Sequence, residues 1–308
     1  MSILIPSKDD PRIEGILSQL AVQENDQVEV ILIFNGSKDA YVKKTKELCQ
    51  RLSTSSFFKV YTISEAGIPK AYNCGIVKSR GKVIVLLTSD LILPKSYIEC
   101  LVKYCQAEQD SLAITKGLVY FQPQDSIFSR YNCRLRQISY HKHKQLVYAP
   151  NLIISRKVFY KAGMFWEGVR YCEDSIWGDK AKLHGFSIRE FPQLKVMHID
   201  DKHIRKTILT IFNYGIGRAY RVKRNYLINN HTKATYLRQL FANSSTHLGH
   251  KYVIYNLFVE FVHLVRNIGV CYGILFKFRR YNYQHFQEEL YYNSFSNYLK
   301  NEKQNGFK

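Results

Sequence analysis

The chain has 308 residues, with 45 Lys and Arg against 25 Asp and Glu for a formal charge of +20, and 46% hydrophobic residues including 23 Tyr and 18 Phe. So much aromatic and aliphatic surface offsets the chain entropy lost on folding, which excludes an intrinsically disordered protein. The length suits one large domain or a domain with an appendage. Cys49, Cys74, Cys100, Cys105, Cys133, Cys172 and Cys271 form no C-x-x-C pair and are odd in number, so buried thiols in a reducing, cytosolic compartment are expected. The opening MSILIPSKDD has no positive segment followed by a long apolar stretch, so a signal peptide is not expected.

In chain order, residues 2–5 read as a short apolar strand, 6–11 as a turn and 12–23 as a helix with Ile13, Ile16, Leu17 and Leu20 on one face. The β-branched run 29–34 is a second strand, closed by Asn35, Gly36 and Ser37, and 38–52 has a helical pattern. Residues 57–63 form a third strand, 70–78 a helix and 82–87 a fourth strand, continuously apolar as a strand buried on both faces should be. Strands alternating with helices imply an α/β fold with a mostly parallel central sheet. Such sheets bind ligands beyond the carboxyl ends of their strands, so 6–10, 34–39 and 88–91 should line one crevice. No G-x-G-x-x-G follows the first strand and no G-x-x-x-x-G-K-[ST] occurs, which removes most of the weight from dinucleotide and P-loop readings.

The strand ends carry an ordered series: IPSKDDP, FNGSKD, GIPKAYNCGI, RGKVIVLLTSDLILP, NLIISRKVFYKAGMF, YCEDSIWGDKAKLHG and VMH. Over residues 2–200 this series resembles the family-2 glycosyltransferases of GT-A (Rossmann-like) fold. The resemblance implies an inverting enzyme that moves a sugar from a nucleotide-diphosphate sugar donor to a hydroxyl of a glycan or lipid-linked acceptor, in cell-surface glycan or glycolipid synthesis.

Negative charge develops on the leaving diphosphate, and a Mg or Mn cation held by carboxylate and imidazole would offset it. The family's D-x-D reads Thr88, Ser89, Asp90 here, so one acid of the two is retained. His198 stands where relatives complete the metal site, with Asp200 and Asp201 as alternative polar partners. Asp174 is implied as the general base and Glu173 as its positioning neighbour; equally, both are acids suited to the start of a helix. On the donor side Pro6, Ser7 and Asp9 should border base and ribose; Phe34 and Asn35, before Gly36 and Ser37, stand where the family often has two acids, with Asn35 able to read a base edge and Phe34 either stacking on the base or packing beneath it. Asp39 fills a frequent family position or caps the helix after it. Tyr72 replaces an arginine, leaving Lys70 as the nearest cation for a phosphate. Asn151, with Arg156 following, and Trp166 and Trp177 are the acceptor-side candidates, each tryptophan alternatively a core residue. Residues 117–145, with Tyr120, Phe121, Tyr131, Arg134 and Arg136, read as a loop that sets specificity.

Residues 201–308 differ in character, with 17 Lys and Arg against 5 Asp and Glu and 12 of the 23 tyrosines, so a boundary falls near 200 between a catalytic domain and a basic, aromatic helical region. Residues 202–224 have the pattern of a basic amphipathic helix on an anionic membrane surface. Residues 252–276 are long enough to span a bilayer, but Asn256, Glu260, His263 and Asn267 make one polar stripe with Arg266 beside it, which favours an in-plane helix. Gly269 and Gly273 invite a helix-pair reading. Residues 277–280 with Tyr281, Tyr283, Tyr291 and Tyr292 suit a headgroup layer. The expected location is therefore the cytoplasm, peripheral on the inner face of the cell membrane; packing on the catalytic domain or in a homo-oligomer is the alternative. Thr88, Phe34 and Tyr72 leave open a non-catalytic GT-A relative, against which stand Asp90, Glu173, Asp174 and His198. A nucleic-acid partner is not expected: the basic charge has no recognised binding motif around it and would leave the ordered series unexplained.

Overall fold

A computed structural model describes residues 1–53, 56–169, 171–200, 203–229, 233–241, 247, 253–278, 281–292 and 294–305. Apolar runs make the central strands β1 (Ser2–Ser7), β2 (Glu29–Asn35), β3 (Phe58–Ile63) and β4 (Val83–Leu86), joined by helices α1 (Ile13–Ala21), α2 (Asp39–Leu52) and α3 (Ile68–Lys78). After the two-residue β5 (Leu91–Ile92) come α4 (Tyr97–Ala107), β6 (Ile114–Gln122), α5 (Ile127–Lys142), β7 (Leu152–Ser155), α6 (Arg156–Ala162), α7 (Glu173–Leu183) and β8 (Ile188–Ile199). One eight-stranded sheet results, in the order β3-β2-β1-β4-β7-β6-β8-β5.

The first four strands are parallel in space, as the βαβ pattern requires. The far half of the sheet is mixed: β7 runs antiparallel to both β4 and β6, and β5 antiparallel to β8. Residues 117–145 are not a loop. They are the end of β6 and helix α5, whose start is capped by the Ser126 hydroxyl accepting the Ser129 N–H at 2.9 Å.

Both faces of the sheet are covered. One apolar layer joins α1, α2, α4 and α5 to the strands; the other joins α3, α6 and α7. From residue 204 the described chain is helical: α8 (Ile204–Asn229), α9 (Lys233–Phe241), α10 (Val253–Tyr272) running into a π-helical turn (Gly273–Lys277), α11 (Tyr283–Tyr292) and α12 (Phe295–Asn305). α12 returns to the second of these layers, where Phe295 meets Tyr160 edge-on and the Tyr298 hydroxyl donates to Glu167 at 2.8 Å. Asp201, Lys202, Arg279 and Arg280, and the side chains of Tyr283, Tyr291 and Tyr292, lie outside the described residues.

Candidate functional site

The carboxyl ends of β1, β2 and β4 open on one edge of the sheet, and most of the expected site residues converge there. The pairing of β5 with β8 sets Leu91 opposite His198, and the Ile199 N–H donates to the Asp90 carbonyl at 2.9 Å. Residues 108 positions apart are thereby locked side by side, with His198 Nε2 3.3 Å from Asp90 Oδ2. The Thr88 hydroxyl donates to Asp90 Oδ1 at 2.6 Å, and the Ser89 hydroxyl donates to Asp10 Oδ2 at 2.7 Å.

Arg12 ties this corner together, although the sequence motifs do not single it out. Its guanidinium donates twice to Asp10, at 2.9 and 2.8 Å, and to the Ile199 carbonyl at 3.2 Å, with Asp90 Oδ2 at 3.6 Å. Burial raises the Asp10 carboxyl, but the bonds from Arg12 and Ser89 outweigh it and hold the group below its ordinary value. Burial drives the His198 imidazole down to about 4 against the pull of Asp90, and its Nδ1 is buried with no hydrogen-bond partner. It is Nε2, not the buried Nδ1, that lies beside the carboxylate, and Nε2 with Asp90 Oδ2 is a donor pair for a divalent cation that takes its other ligands from phosphate and water. Among the described residues no group of three His, Cys, Asp or Glu forms a closed metal cage. Asp200 is not part of this pair. It is buried beside α5, accepting from Ser129 at 3.0 Å, from Asn132 at 3.1 and 3.2 Å, and from Arg136 at 3.3 Å.

The second pole of the site is the start of α7. Cys172 takes a left-handed conformation with φ 60°, turning the chain so that Glu173 and Asp174 form the first helical turn. Asp174 Oδ2 accepts the Ala149 N–H at 3.1 Å, and its Oδ1 accepts the Ser175 N–H at 2.6 Å. Burial, and for Glu173 also the adjacent Asp174, raises both carboxyls above their ordinary range. Glu29, at the opposite end of the sheet, is the contrast. Burial works against its charge, yet the Arg80 N–H, Lys59 and Ser2 hold it down at about 2, as befits a structural pin.

Tyr72 lies between the two poles. It is fully buried beside Phe165, its hydroxyl has no hydrogen-bond partner, and burial together with Glu173, Asp174 and Asp90 pushes that hydroxyl well above its usual pKa. The position therefore supplies a neutral hydroxyl where the family has a cation. Lys70 pairs with Glu65 at 3.0 Å.

On the donor side, Phe34 is wholly buried edge-on to Tyr41, so it packs beneath the crevice and does not face a base. The Tyr41 hydroxyl donates to the Asp10 carbonyl and contacts the Ser7 hydroxyl, both at 2.7 Å. Pro6, Ser7 and Asn35 are buried at the strand ends. Gly36 has φ 65° and its missing Cβ would meet Ala66 N at 3.1 Å, so the turn needs glycine. Asp9, with φ 51°, accepts the Lys38 N–H at 2.9 Å. Asp39 sits in the first turn of α2 after Lys38, which is the N-cap, so the capping expectation does not hold for it.

The acceptor-side expectations need three corrections. Trp177 is 1% exposed, sandwiched with Phe159 and Phe165, and its Nε1 donates to the Gly163 carbonyl at 2.9 Å: it is a core residue with no face for a sugar. Asn151, fully buried with φ 113°, accepts from Tyr97 and donates to the Leu194 carbonyl, both at 2.9 Å, and so braces β7 and β8 from within. Arg156 follows the end of β7 that pairs with Val83, remote from Asp90, and donates to the Ile76, Ser79 and Gly81 carbonyls at the end of α3. Trp166 is partly exposed, with its ring against Gly168 near Val169, Ile176 and Tyr220.

α8 forms the wall over the start of α7. A Cβ at Gly217 would lie 2.5 Å from the Tyr171 carbonyl and 2.9 Å from Cys172 Sγ, and Asn213 donates to the Tyr171 hydroxyl at 2.9 Å. Arg221 clamps Asp179 of α7 with two bonds of 2.5 and 2.8 Å.

The sequence profile of glycosyl transferase family 2 matches residues 2–163, more than half of the chain. The chain belongs to glycosyl transferase family 2. The solved structures agree on the fold of this glycosyltransferase. A mannosyltransferase from Pyrobaculum calidifontis, PcManGT, in complex with GDP-Man and Mn²⁺ is similar at TM-score 0.64 and 12% identity, over 90% of this chain and 87% of that one. S. aureus TarS 1-349 in complex with UDP-GlcNAc is similar at TM-score 0.54 and 13% identity, over 92% of each chain. No curated protein matches the sequence. The fold is GT-A, with the curled mixed sheet of these enzymes.

Proposed function

We propose that this family-2 glycosyltransferase transfers a sugar with inversion from a nucleotide-diphosphate donor to an acceptor hydroxyl in cell-surface glycan or glycolipid synthesis, on the cytoplasmic side, with residues 1–200 as the catalytic unit. The observation that carries the reading is the convergence on one sheet edge of the Asp90–His198 pair, 3.3 Å apart, and the Glu173–Asp174 helix start. PcManGT with GDP-Man and Mn²⁺ and TarS with UDP-GlcNAc support a donor of this class.

Asp174 accepts the acceptor's hydroxyl proton as that oxygen attacks the anomeric carbon. The bond from that carbon to the diphosphate breaks on the opposite face, so configuration inverts and the nucleoside diphosphate leaves. A raised pKa makes Asp174 a stronger base than an ordinary carboxylate once ionised, while the Ala149 and Ser175 N–H groups fix its orientation. Glu173, beside it in the first turn of α7, positions the acceptor or the base. Asp90 and His198 would hold a divalent cation, which supplies positive charge against the departing diphosphate. Arg12 keeps Asp90 in place through Asp10 and the end of β8.

A thermal-shift panel of UDP, GDP, dTDP and CMP, each with and without Mn²⁺, tests the reading. One nucleoside diphosphate should raise Tm only with Mn²⁺, by mass action on the folded state. Absence of any shift in the wild-type protein contradicts it.

A further inference from the structure

α10 is arranged opposite to a water-facing amphipathic helix. Of the polar stripe read in the sequence only Glu260 faces solvent: His263 is buried, and Asn256, Arg266 and Asn267 are only partly exposed at the helix flank. The open face is apolar. Ile254, Leu257, Leu264, Ile268 and Leu275 are 66%, 65%, 60%, 54% and 59% exposed, with Phe261 and Tyr272 among them, and their spacing of three and four makes one continuous ridge. Scattered single exposed leucines need no explanation, but a ridge of this length on one helix does. The carboxylate on this side of the helix, Glu260, lies 2.7 Å from His247 Nε2 at the ridge's edge.

The opposite side of α10 is occupied along its length. A Cβ at Gly269 would lie 2.0 Å from the Phe212 carbonyl oxygen, and one at Gly215 would lie 2.0 Å from that of Arg266, so the backbones of α8 and α10 touch. Gly273 extends the contact to Ala219. The glycine pair thus serves a helix contact within this chain. Towards its start, α10 packs on α5 through Phe258 against Phe128 and Tyr131.

We infer that the outward ridge of α10 is a membrane-docking surface that seats the helix in the plane of an anionic bilayer. Charge selects this occupant. Residues 201–308 carry most of the chain's positive excess, Arg134 lies 5.6 Å over the Tyr255 ring near one end of the ridge, and exposed Lys277 closes the other end. Lys and Arg at that depth attract anionic headgroups while the ridge enters the acyl boundary. A second copy would bring together two chains of formal charge +20 each and is opposed by repulsion. Val253–Lys277 is long and apolar enough to cross a bilayer, but spanning would carry Glu260 and the arginines of α8 into the hydrocarbon, whereas an in-plane seat leaves them in the headgroup layer. Because α8 bridges α10 to Cys172 and the catalytic acids, the seat places the acceptor side of the site one helix away from the lipid surface. On the proposed catalytic reading, an acceptor anchored in the membrane could reach it.

Flotation of the full chain with vesicles of phosphatidylcholine alone, or of phosphatidylcholine mixed with phosphatidylglycerol, tests the docking without reference to activity. The wild type should float with the anionic vesicles only and be released by high salt. Leu257→Glu with Leu264→Glu should weaken that partitioning at least about a hundredfold, since two buried leucines are lost, and Leu257→Ser with Leu264→Ser should weaken it less. Both positions are exposed, so near-UV circular dichroism should be unchanged. Failure to float with either vesicle, or equal flotation with both, overturns the inference. So does a dimer on size exclusion that these substitutions dissociate, which would make the ridge a contact between copies.

Discussion

His198 Nε2 lies 3.3 Å from Asp90 Oδ2, brought there by the short pairing of β5 with β8. On the proposed reading the two side chains would hold a cation only together, because each alone offers one ligand to an ion that needs several oxygen or nitrogen donors. Asp90→Ala and His198→Ala should each weaken Mn²⁺-dependent nucleotide binding about tenfold or more, with a smaller loss of metal-free binding. Titration of Mn²⁺ by calorimetry in the presence of the nucleoside diphosphate checks this. Unchanged affinity in both variants would place the cation elsewhere.

The carboxyls of Glu173 and Asp174 produce opposite pH slopes in activity and stability. Burial raises both above their ordinary values, so the folded state binds protons more tightly than the unfolded chain. The stability they contribute is complete below the unfolded pKa, about 4, and is lost as pH rises through the raised folded values. The general base works only when ionised, so kcat/KM should climb through the same window. Tm and kcat/KM measured across it should therefore move in opposite directions, and Glu173→Gln should flatten the fall in Tm.

Trp177 and Trp166 separate stability from turnover. Trp177→Ala empties a fully packed aromatic site and should cost about 3–5 kcal/mol, read as a lower urea midpoint. Trp166→Ala, at a partly exposed ring, should cost less stability. A larger effect of Trp166→Ala on acceptor KM than on Tm would retain it as an acceptor contact.

Gly269→Ala should loosen the joint between α8 and α10, because the new methyl would fall 2.0 Å from a carbonyl oxygen of α8 that cannot rotate away. A loss of about 1–3 kcal/mol is expected, accompanied by faster hydrogen exchange in both helices. Gly185→Ala has open space around its side chain but strains a φ of 81°. Its loss should stay local to the end of α7.

The parallel half of the sheet was legible because strands buried on both faces must be written as apolar runs, and residues 29–34 and 82–87 are such runs. The two poles of the site were legible because strand ends and helix starts fix where their side chains go. Arg12 was not, since its work depends on Ile199, which reaches it only after β8 has crossed the sheet. Asn151 and Arg156 followed the family's order but serve the interior, because adjacency to a motif says nothing about which way a side chain turns. The segment 117–145 was misread through its aromatic and basic residues. Arg136 is held inward by Asp200 and Tyr148 over the Phe121 ring, and the readable signal for a helix was Ser126 as its cap. The polar stripe of α10 was found, but the partner that covers its flank lies some fifty residues earlier in the chain, in α8.

The most direct test of the account is Asp174→Asn, assayed for release of nucleoside diphosphate from the donor identified by the thermal-shift panel. Turnover should fall about 10²- to 10⁴-fold, the range for loss of a general base, while Mn²⁺-dependent binding of the nucleoside diphosphate remains at the wild-type level. Turnover within a few-fold of wild type would contradict the assignment of Asp174 as the base.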